Sequence, residues 1–385
     1  MVSTQPTPAQ QALQQRAREL AQHELKPHAA QREANDDIPA EVFRALGERG
    51  LLGVNIPGDY GGTDAGVVAY ALALREIAHA DASVAVTMAV TNMVGEVIHR
   101  FGSEAQRRRH LPKLTSGEYY GGAFALSEPG AGSDAAALST RADPDGGGWR
   151  LNGEKMWIST GDRAGVYVVW ARTGGRGAKG LSAFLVESGA AGLRPGKAED
   201  KMGLRASHTV SLHLEDVRVG PEDLLDHEGG GFPIAMVALD GGRIGIGSQA
   251  VGVADAAHKL ALAYARRTSD AGRPMSEQQG VQMQLADMAT RMEAAWLLTL
   301  RAAAYKDAGQ RFSRQAAMAK VMASETANWV VREAVQLMGA YGYMETGGVA
   351  RLLRDCRVTQ IYEGTSEIQR LVIGRDVLQD AAAST

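Results

Sequence analysis

The chain has one cysteine, Cys356, in 385 residues. A disulfide framework within the chain and a multi-thiolate zinc site are both excluded, and no metal centre is expected. An excess of charge is lacking too, since 41 Lys and Arg against 44 Asp and Glu leave a net charge of −3. That balance gives no electrostatic reason to expect nucleic acid or an anionic membrane surface as a standing partner. No run of about 18 apolar residues occurs, so no membrane span is expected. Met1 to Gln15 contains no basic residue and no apolar core. Neither a secretory signal nor an Arg-rich transit peptide is therefore expected, and the cytoplasm is the default location. Gly-x-Ser-x-Gly elbows and complete P-loops are missing, which removes the usual anchors of hydrolase and NTPase chemistry.

What is present is a sizeable apolar fraction, 45%, and an abundance of glycine, 46 residues. Glycine at about 12%, against roughly 7% on average, marks many tight turns and close backbone approaches of the kind a large ligand requires. Thr7-Pro8 reads as an N-cap followed by an N1 proline, with Leu13, Ala17, Leu20 and Ala21 along one face. Pro39 opens a short helix, Gly58 to Gly62 is a loop, and Ala65–Ala80 and Ala82–Phe101 are two long apolar helices. Ser103 and Gln106 spell a capping box for another. After Gly121 the pattern changes to short runs such as Val166–Trp170 and Ser182–Val186 between Gly-rich turns. Thr209–Val219 alternates with Val210, Leu212 and Leu214 on one face. Helical periodicity returns over Ile234–Arg267, Glu277–Ala308, Ser313–Met338 and Ser366–Leu378. The expected fold is an α+β multidomain protein. Residues 1–120 form an N-terminal α-helical domain, 121–231 a middle antiparallel β domain, and 232–385 a C-terminal four-helix-bundle-type α domain.

Two stretches match a Gly-x-Gly-x-x-Ala fingerprint, Gly130–Ala135 and Gly245–Ala250. Such a match speaks for a dinucleotide fold only between a strand and a helix in a βαβ unit. Gly245–Ala250 lies inside a helical pattern, and Gly130–Ala135 leads toward further strands. His23-Glu24…His28 resembles a zincin helix, but its second His is at i+5 and Pro27 intervenes. A solvated histidine pair is the simpler reading.

The segment Ile361–Arg370 is more informative. Ser366 and Gln369 spell a second capping box, so a helix is expected just after Gly364, with Glu363 on the connection entering it. Glu363 is either an acid complementing the helix dipole or a reactive carboxylate.

The run Phe124-Ala125-Leu126-Ser127-Glu128-Pro129-Gly130-Ala131-Gly132-Ser133-Asp134, followed by Lys155-Met156-Trp157-Ile158-Ser159, closely resembles the acyl-CoA dehydrogenase family. Gly339–Tyr343, Arg354-Asp355 and Tyr362–Arg370 agree with it in order and spacing, and the resemblance runs from about Gln10 to Leu378. It implies an FAD flavoprotein that oxidises an acyl-CoA thioester to the trans-2-enoyl-CoA, with electron-transferring flavoprotein as acceptor. By this resemblance Glu363 is the base that removes the α-proton while hydride leaves the β-carbon for flavin N5. The enolate oxygen would be held by the Glu363 N–H and a flavin ribityl hydroxyl. Phe124, Leu126, Ser127, Gly132 and Ser133 match residues around the flavin ring and phosphates. Trp157 and Ser159 match the opposite wall, though Trp157 also reads as an ordinary core aromatic. Thr365 and Glu367 match further FAD contacts. Gln336, Gly339 and Ala340 match contacts to the FAD of a neighbouring subunit, which implies a homo-oligomer, usually a tetramer. Ser133, Asp240, Arg243, Tyr362 and Gly364 match acyl-CoA contacts, while Asp240 and Arg243 also read as an i,i+3 helix pair. One branch of the family carries its base just before the equivalent of Arg243, where this chain has Gly242.

The sequence departs from the family at Thr268-Ser269-Asp270-Ala271-Gly272. The family's Arg-x-Gln/Thr-Phe-Gly reaches the partner's FAD from here, and Asp270 sets a negative charge near a pyrophosphate. Arg266, Arg267 and Arg273 are the alternatives that would supply the missing charge from a shifted position; weaker FAD retention is expected, and stoichiometric flavin surviving extensive dialysis would contradict it. Likeness to the short-chain branch, as in Leu239–Ile246, implies a short acyl group. Two further readings stay open: the same fold acting on a carrier-protein or unusual acyl thioester in biosynthesis, and a flavin-poor, non-catalytic binding subunit.

Overall fold

The computed structural model describes residues 5–267, 269–270 and 273–383. The first helix, α1 (Pro8–Leu20), starts where the Thr7 hydroxyl accepts from the Gln10 N–H, and the Gln10 side chain closes a reciprocal capping box. Its predicted apolar face is buried, with Leu13, Ala17, Leu20 and Ala21 out of water. Five helices follow: α2 (Ala29–Ala34), α3 (Ala40–Glu48), α4 (Gly66–Ala80), α5 (Ala82–Phe101) and α6 (Glu104–Thr115). The Ser103–Gln106 capping box forms as read. By length and composition α5 could cross a membrane, but 89% of its apolar window is packed inside the protein. Ser83, Thr87, Thr91 and Asn92 interrupt its apolar run, which is why the sequence shows no continuous span.

The middle of the chain forms seven strands: β1 (Gly122–Ala125), β2 (Arg141–Asp145), β3 (Gly148–Ser159), β4 (Val166–Arg172), β5 (Leu181–Glu187), β6 (Leu193–Pro195) and β7 (Thr209–Val219). They make one sheet in the order β1-β4-β2-β3-β7-β6, with β5 paired to β4. Most pairings are antiparallel, as read from the sequence, but β1 runs parallel to β4 and β2 meets β4 in parallel at Arg141–Arg172. The connection from β1 to β4 passes through β2 and β3 rather than a hairpin, so β1 arrives at β4 in the same sense. Val210, Leu212 and Leu214 face inward as expected.

The C-terminal helices are α7 (Gly231–Arg267), α8 (Gln279–Asp307), α9 (Ser313–Tyr343), α10 (Val349–Arg357) and α11 (Ser366–Ala383). The long α7 packs on α8 and α9 and, across its other flank, on α4 and α5. Its glycines permit those approaches. A Cβ on Gly252 would stand 2.5 Å from the Arg75 carbonyl oxygen, and one on Gly245 would stand 2.7 Å from the Tyr70 hydroxyl. The Gly245–Ala250 fingerprint is thus a helix-packing pattern, while Gly130–Ala135 lies on the loop after β1, which leads through a short 3₁₀ turn to β2. Neither sits in a βαβ unit.

Candidate functional site

Glu363 lies between a 3₁₀ turn, Val358–Gln360, and α11. Its backbone is left-handed, φ 53°, and Gly364 continues so at φ 83°. A left-handed Glu is uncommon and costs energy, so the surroundings must hold it. They do so from two helices. The Lys320 ammonium on α9 donates to the Gly364 carbonyl at 2.6 Å. The Gln369 amide on α11 donates to the Glu363 and Gly364 carbonyls at 3.1 and 2.9 Å. Gln369 therefore does not complete a capping box with Ser366, whose hydroxyl has no partner. The helix is capped one residue earlier, where the Thr365 hydroxyl accepts from the Ile368 N–H at 3.3 Å.

The Glu363 carboxylate is half-buried, and its Oε2 is shielded from water without a hydrogen-bond partner. The Glu363 N–H has no acceptor among the described residues. A Cβ on Gly242 would stand 2.7 Å from that Oε2 and 3.3 Å from Met93 Sδ, so only glycine leaves the carboxylate its place. Burial raises the Glu363 pKa to about 7, with the charges of Lys320 and Arg243 opposing the rise. Burial in turn lowers Lys320 to about 8.

Arg243 is buried and forms the expected i,i+3 ion pair with Asp240, whose other oxygen accepts the Ser313 hydroxyl. The Arg243 Nε has no partner. Tyr362 donates to Gln249, whose amide is fixed on the Ala82 carbonyl at 3.1 Å. Glu363, Gly364, Tyr362, Arg243 and Asp240 are thus gathered around the Asp240–Gln249 stretch of α7.

A second group forms at the end of β1. Leu126 is buried, and the half-buried Phe124 lies with its ring centroid 4.3 Å from that of Trp170. The Ser127 carbonyl accepts the Met156 N–H at 2.9 Å, which ties this loop to the strand carrying Trp157 and Ser159. Trp157 is no core aromatic. It is 58% exposed, on a left-handed backbone (φ 64°), where the β3–β7 register shifts between Lys155 and Ile158. Such a bulge re-aims a side chain. Gly132 and Ser133 are exposed, and a Cβ on Gly132 would meet nothing within 4 Å. The loop is moored from beneath by Glu128, which pairs with the fully buried Lys155 at 2.8 Å and accepts from the Ser139 and Thr140 N–H groups. The two groups meet through one buried cluster that holds Met93 and Ala238 together with Leu126 and Ala131.

Gln336, Gly339, Ala340 and Glu367 are exposed. Gly339 has non-helical angles inside α9. Lys320 and Gly339 share that helix but stand about 28 Å apart along it at 1.5 Å per residue, so the second stretch is not brought to Glu363. The departure at Thr268–Gly272 lies outside the residues whose side chains are described. Among the described residues no cluster of three or more His, Cys, Asp or Glu gathers as a metal site.

The N-terminal, middle and C-terminal domain models of acyl-CoA dehydrogenase match residues 7–118, 123–217 and 229–378. The chain belongs to the acyl-CoA dehydrogenase family. The mitochondrial short-chain specific acyl-CoA dehydrogenase of Mus musculus is 45% identical over 372 residues, 96% of this chain and 90% of that protein. The structure of butyryl-CoA dehydrogenase from Megasphaera elsdenii is 40% identical and covers 97% of this chain and 99% of its own, with a TM-score of 0.95. A glutaryl-CoA dehydrogenase from Mycobacterium smegmatis in complex with FADH2 is 30% identical, covering 96% of this chain and 95% of its own, with a TM-score of 0.91.

Acyl-CoA dehydrogenases are FAD-dependent oxidoreductases. The residues present here fit that cofactor: an outward-facing indole held on strained backbone, a glycine loop with open space beside it, and an orphaned buried carboxylate oxygen. Lys320, Gln369 and Glu128 hold the Glu363 turn and the loop after β1 in place, and the sequence reading missed them. Lys320 alone had a signal, as a single cation in the apolar helical run Ala316–Ala323.

Proposed function

We propose that this acyl-CoA dehydrogenase catalyses the α,β-dehydrogenation of a short-chain acyl-CoA, with Glu363 as the α-proton base. The observation that carries this reading is the Glu363 carboxylate itself. It is shielded, unpartnered, seated against a glycine and raised to about 7, where a general base works best. When bound, FAD supplies the acceptor for the hydride that leaves the β-carbon.

The chain's own residues do the rest. Phe124, Leu126, Ser127, Gly132, Ser133, Trp157, Ser159, Thr365 and Glu367 would hold the cofactor. Glu363 takes the α-proton onto its free oxygen. Its N–H, without an acceptor, is available to the thioester oxygen as negative charge develops there. Lys320 and Gln369 grip the Glu363 and Gly364 carbonyls and so hold the turn that aims the carboxylate. Arg243 and Lys320 keep the base from being too weakly ionised, and the unpartnered Arg243 Nε faces acyl-CoA together with Ser133, Tyr362 and Gly364. Asp240 orients Arg243. Gln336, Gly339 and Ala340, exposed and distant from their own Glu363, suit contact with a neighbouring subunit's FAD in a homotetramer. An electron-transferring flavoprotein would reoxidise the enzyme.

Anaerobic titration of the FAD-loaded protein with butyryl-CoA tests the reading. Loss of the oxidised-flavin absorbance is expected with butyryl-CoA and less with octanoyl-CoA. A spectrum unmoved by any acyl-CoA would overturn it.

A further inference from the structure

The Gly245–Ala250 stretch of α7 holds a polar residue that helix packing does not explain. Gly245 and Gly247 let the helix lie against Tyr70 and Thr299, and Ser248 bonds its hydroxyl back to the Ile244 carbonyl at 2.9 Å. Gln249 is fully buried and reaches out of the helix instead. Its Nε2 donates to the carbonyl of Ala82, the first residue of α5, at 3.1 Å, and its Oε1 accepts the Tyr362 hydroxyl. Leu or Met would fill a similar space without needing partners for an amide. What the amide adds is direction.

That direction leads to the base. Tyr362 is held at two points, its N–H on the Val358 carbonyl at 3.1 Å and its hydroxyl on Gln249. The peptide that follows carries the Glu363 N–H, which finds no acceptor among the described residues. On the far side of Glu363, the Gln369 amide holds its carbonyl at 3.1 Å. Burial and the Glu363 charge push the Tyr362 phenol well above its ordinary range, so it keeps its proton and remains the donor to Gln249.

We propose that Gln249 is a positioning residue for the dehydrogenation, aiming the Glu363 N–H at the thioester oxygen through the Tyr362 hydroxyl. This rests on the reading of Glu363 as base and N–H donor, and adds the residue that orients the donor. The donor matters most as charge develops on the oxygen, so a small tilt of its peptide weakens the transition state more than the bound substrate.

Gln249→Leu, Tyr362→Phe and the two combined test this in the FAD-loaded protein. The readouts are the limiting rate of flavin reduction by butyryl-CoA, the butyryl-CoA Kd and the Tm. Each single change is expected to slow reduction about ten- to a hundredfold, as for a displaced donor, with Kd nearly unchanged. Each also lowers Tm, because one buried polar partner is left unsatisfied. In the combined variant neither orphan remains, and the Ala82 carbonyl keeps its bond within α5. Its Tm should return toward the parent's while reduction stays slow. A rate that recovers together with Tm would make the bond a fold contact alone and overturn the proposal, as would single variants that reduce flavin at the parent's rate. If Gln249→Leu does not fold, Tyr362→Phe, which removes one oxygen, decides by its rate against its Kd. Those reversals leave the base reading standing. An unaltered enzyme whose flavin no acyl-CoA reduces overturns both.

Discussion

Glu363→Gln is expected to slow flavin bleaching by butyryl-CoA about 10²- to 10⁴-fold, the range a general base contributes. FAD content and acyl-CoA binding should be retained, because the amide has nearly the same shape and the turn is held by backbone carbonyls that the substitution does not touch. The pH behaviour adds a second signature. In the substrate-free enzyme the base is active when ionised, so kcat/KM should rise with pH through about 7 and the variant should lack that rise. Stability should move the other way. The folded-state pKa is raised from the ordinary 4.5 to about 7, so between those values the folded chain keeps a proton that the unfolded chain has lost. The contribution of Glu363 to stability is therefore present below pH 4.5 and is lost as pH rises toward 7. Gln carries no such liability, and the variant should melt at a higher Tm than the parent at pH 8. A variant that bleaches at the parent's rate would remove Glu363 as the base.

The parts that sequence made legible are those fixed by local chemistry. Capping residues and 3.6-residue periodicity placed the starts of α1 and α6 and both ends of α4, α5 and α7 within a few residues, because an N-cap or a glycine break acts over one turn. The strands were less legible. Only four residues form β1, too few to show alternation, and its parallel pairing depends on a connection through two other strands. The cap of α11 was misplaced by one residue, since Thr365 and Ser366 offer the same hydroxyl and only the three-dimensional turn decides between them. At the site, Glu363 and Trp157 were legible because they lie in long family motifs. Nothing local marks Gln369 as a clamp, and Lys320 reaches Glu363's turn from another helix. The fit between Gly242 and the Glu363 carboxylate joins residues over a hundred positions apart, which no local spacing rule can show.

Glu128→Ala is expected to be the most damaging substitution away from the base, with a stability loss of about 3–5 kcal/mol, the cost of leaving a buried charge without its partner. Lys155 is fully buried and would keep only the Leu126 carbonyl, at 3.3 Å. The Ser139 and Thr140 N–H groups would lose their acceptor as well. All these bonds fasten the loop that carries Gly132 and Ser133, so FAD retention should fall together with Tm. Lys155→Met should cost less, because Glu128 keeps its bonds from Ser139 and Thr140. Glu128→Gln combined with Lys155→Met should recover part of the loss, since no uncompensated charge remains. Acid adds a further test. Burial alone would raise the Glu128 pKa, but the Lys155 charge and the hydrogen bonds from Lys155, Thr140 and Ser139 hold it down at about 2. Its stabilising contribution is full above the ordinary 4.5 and is lost as pH falls toward 2. In the double variant that part of the acid-induced loss of Tm should vanish. An equal acid slope in parent and double variant would mean that the pair does not moor the loop.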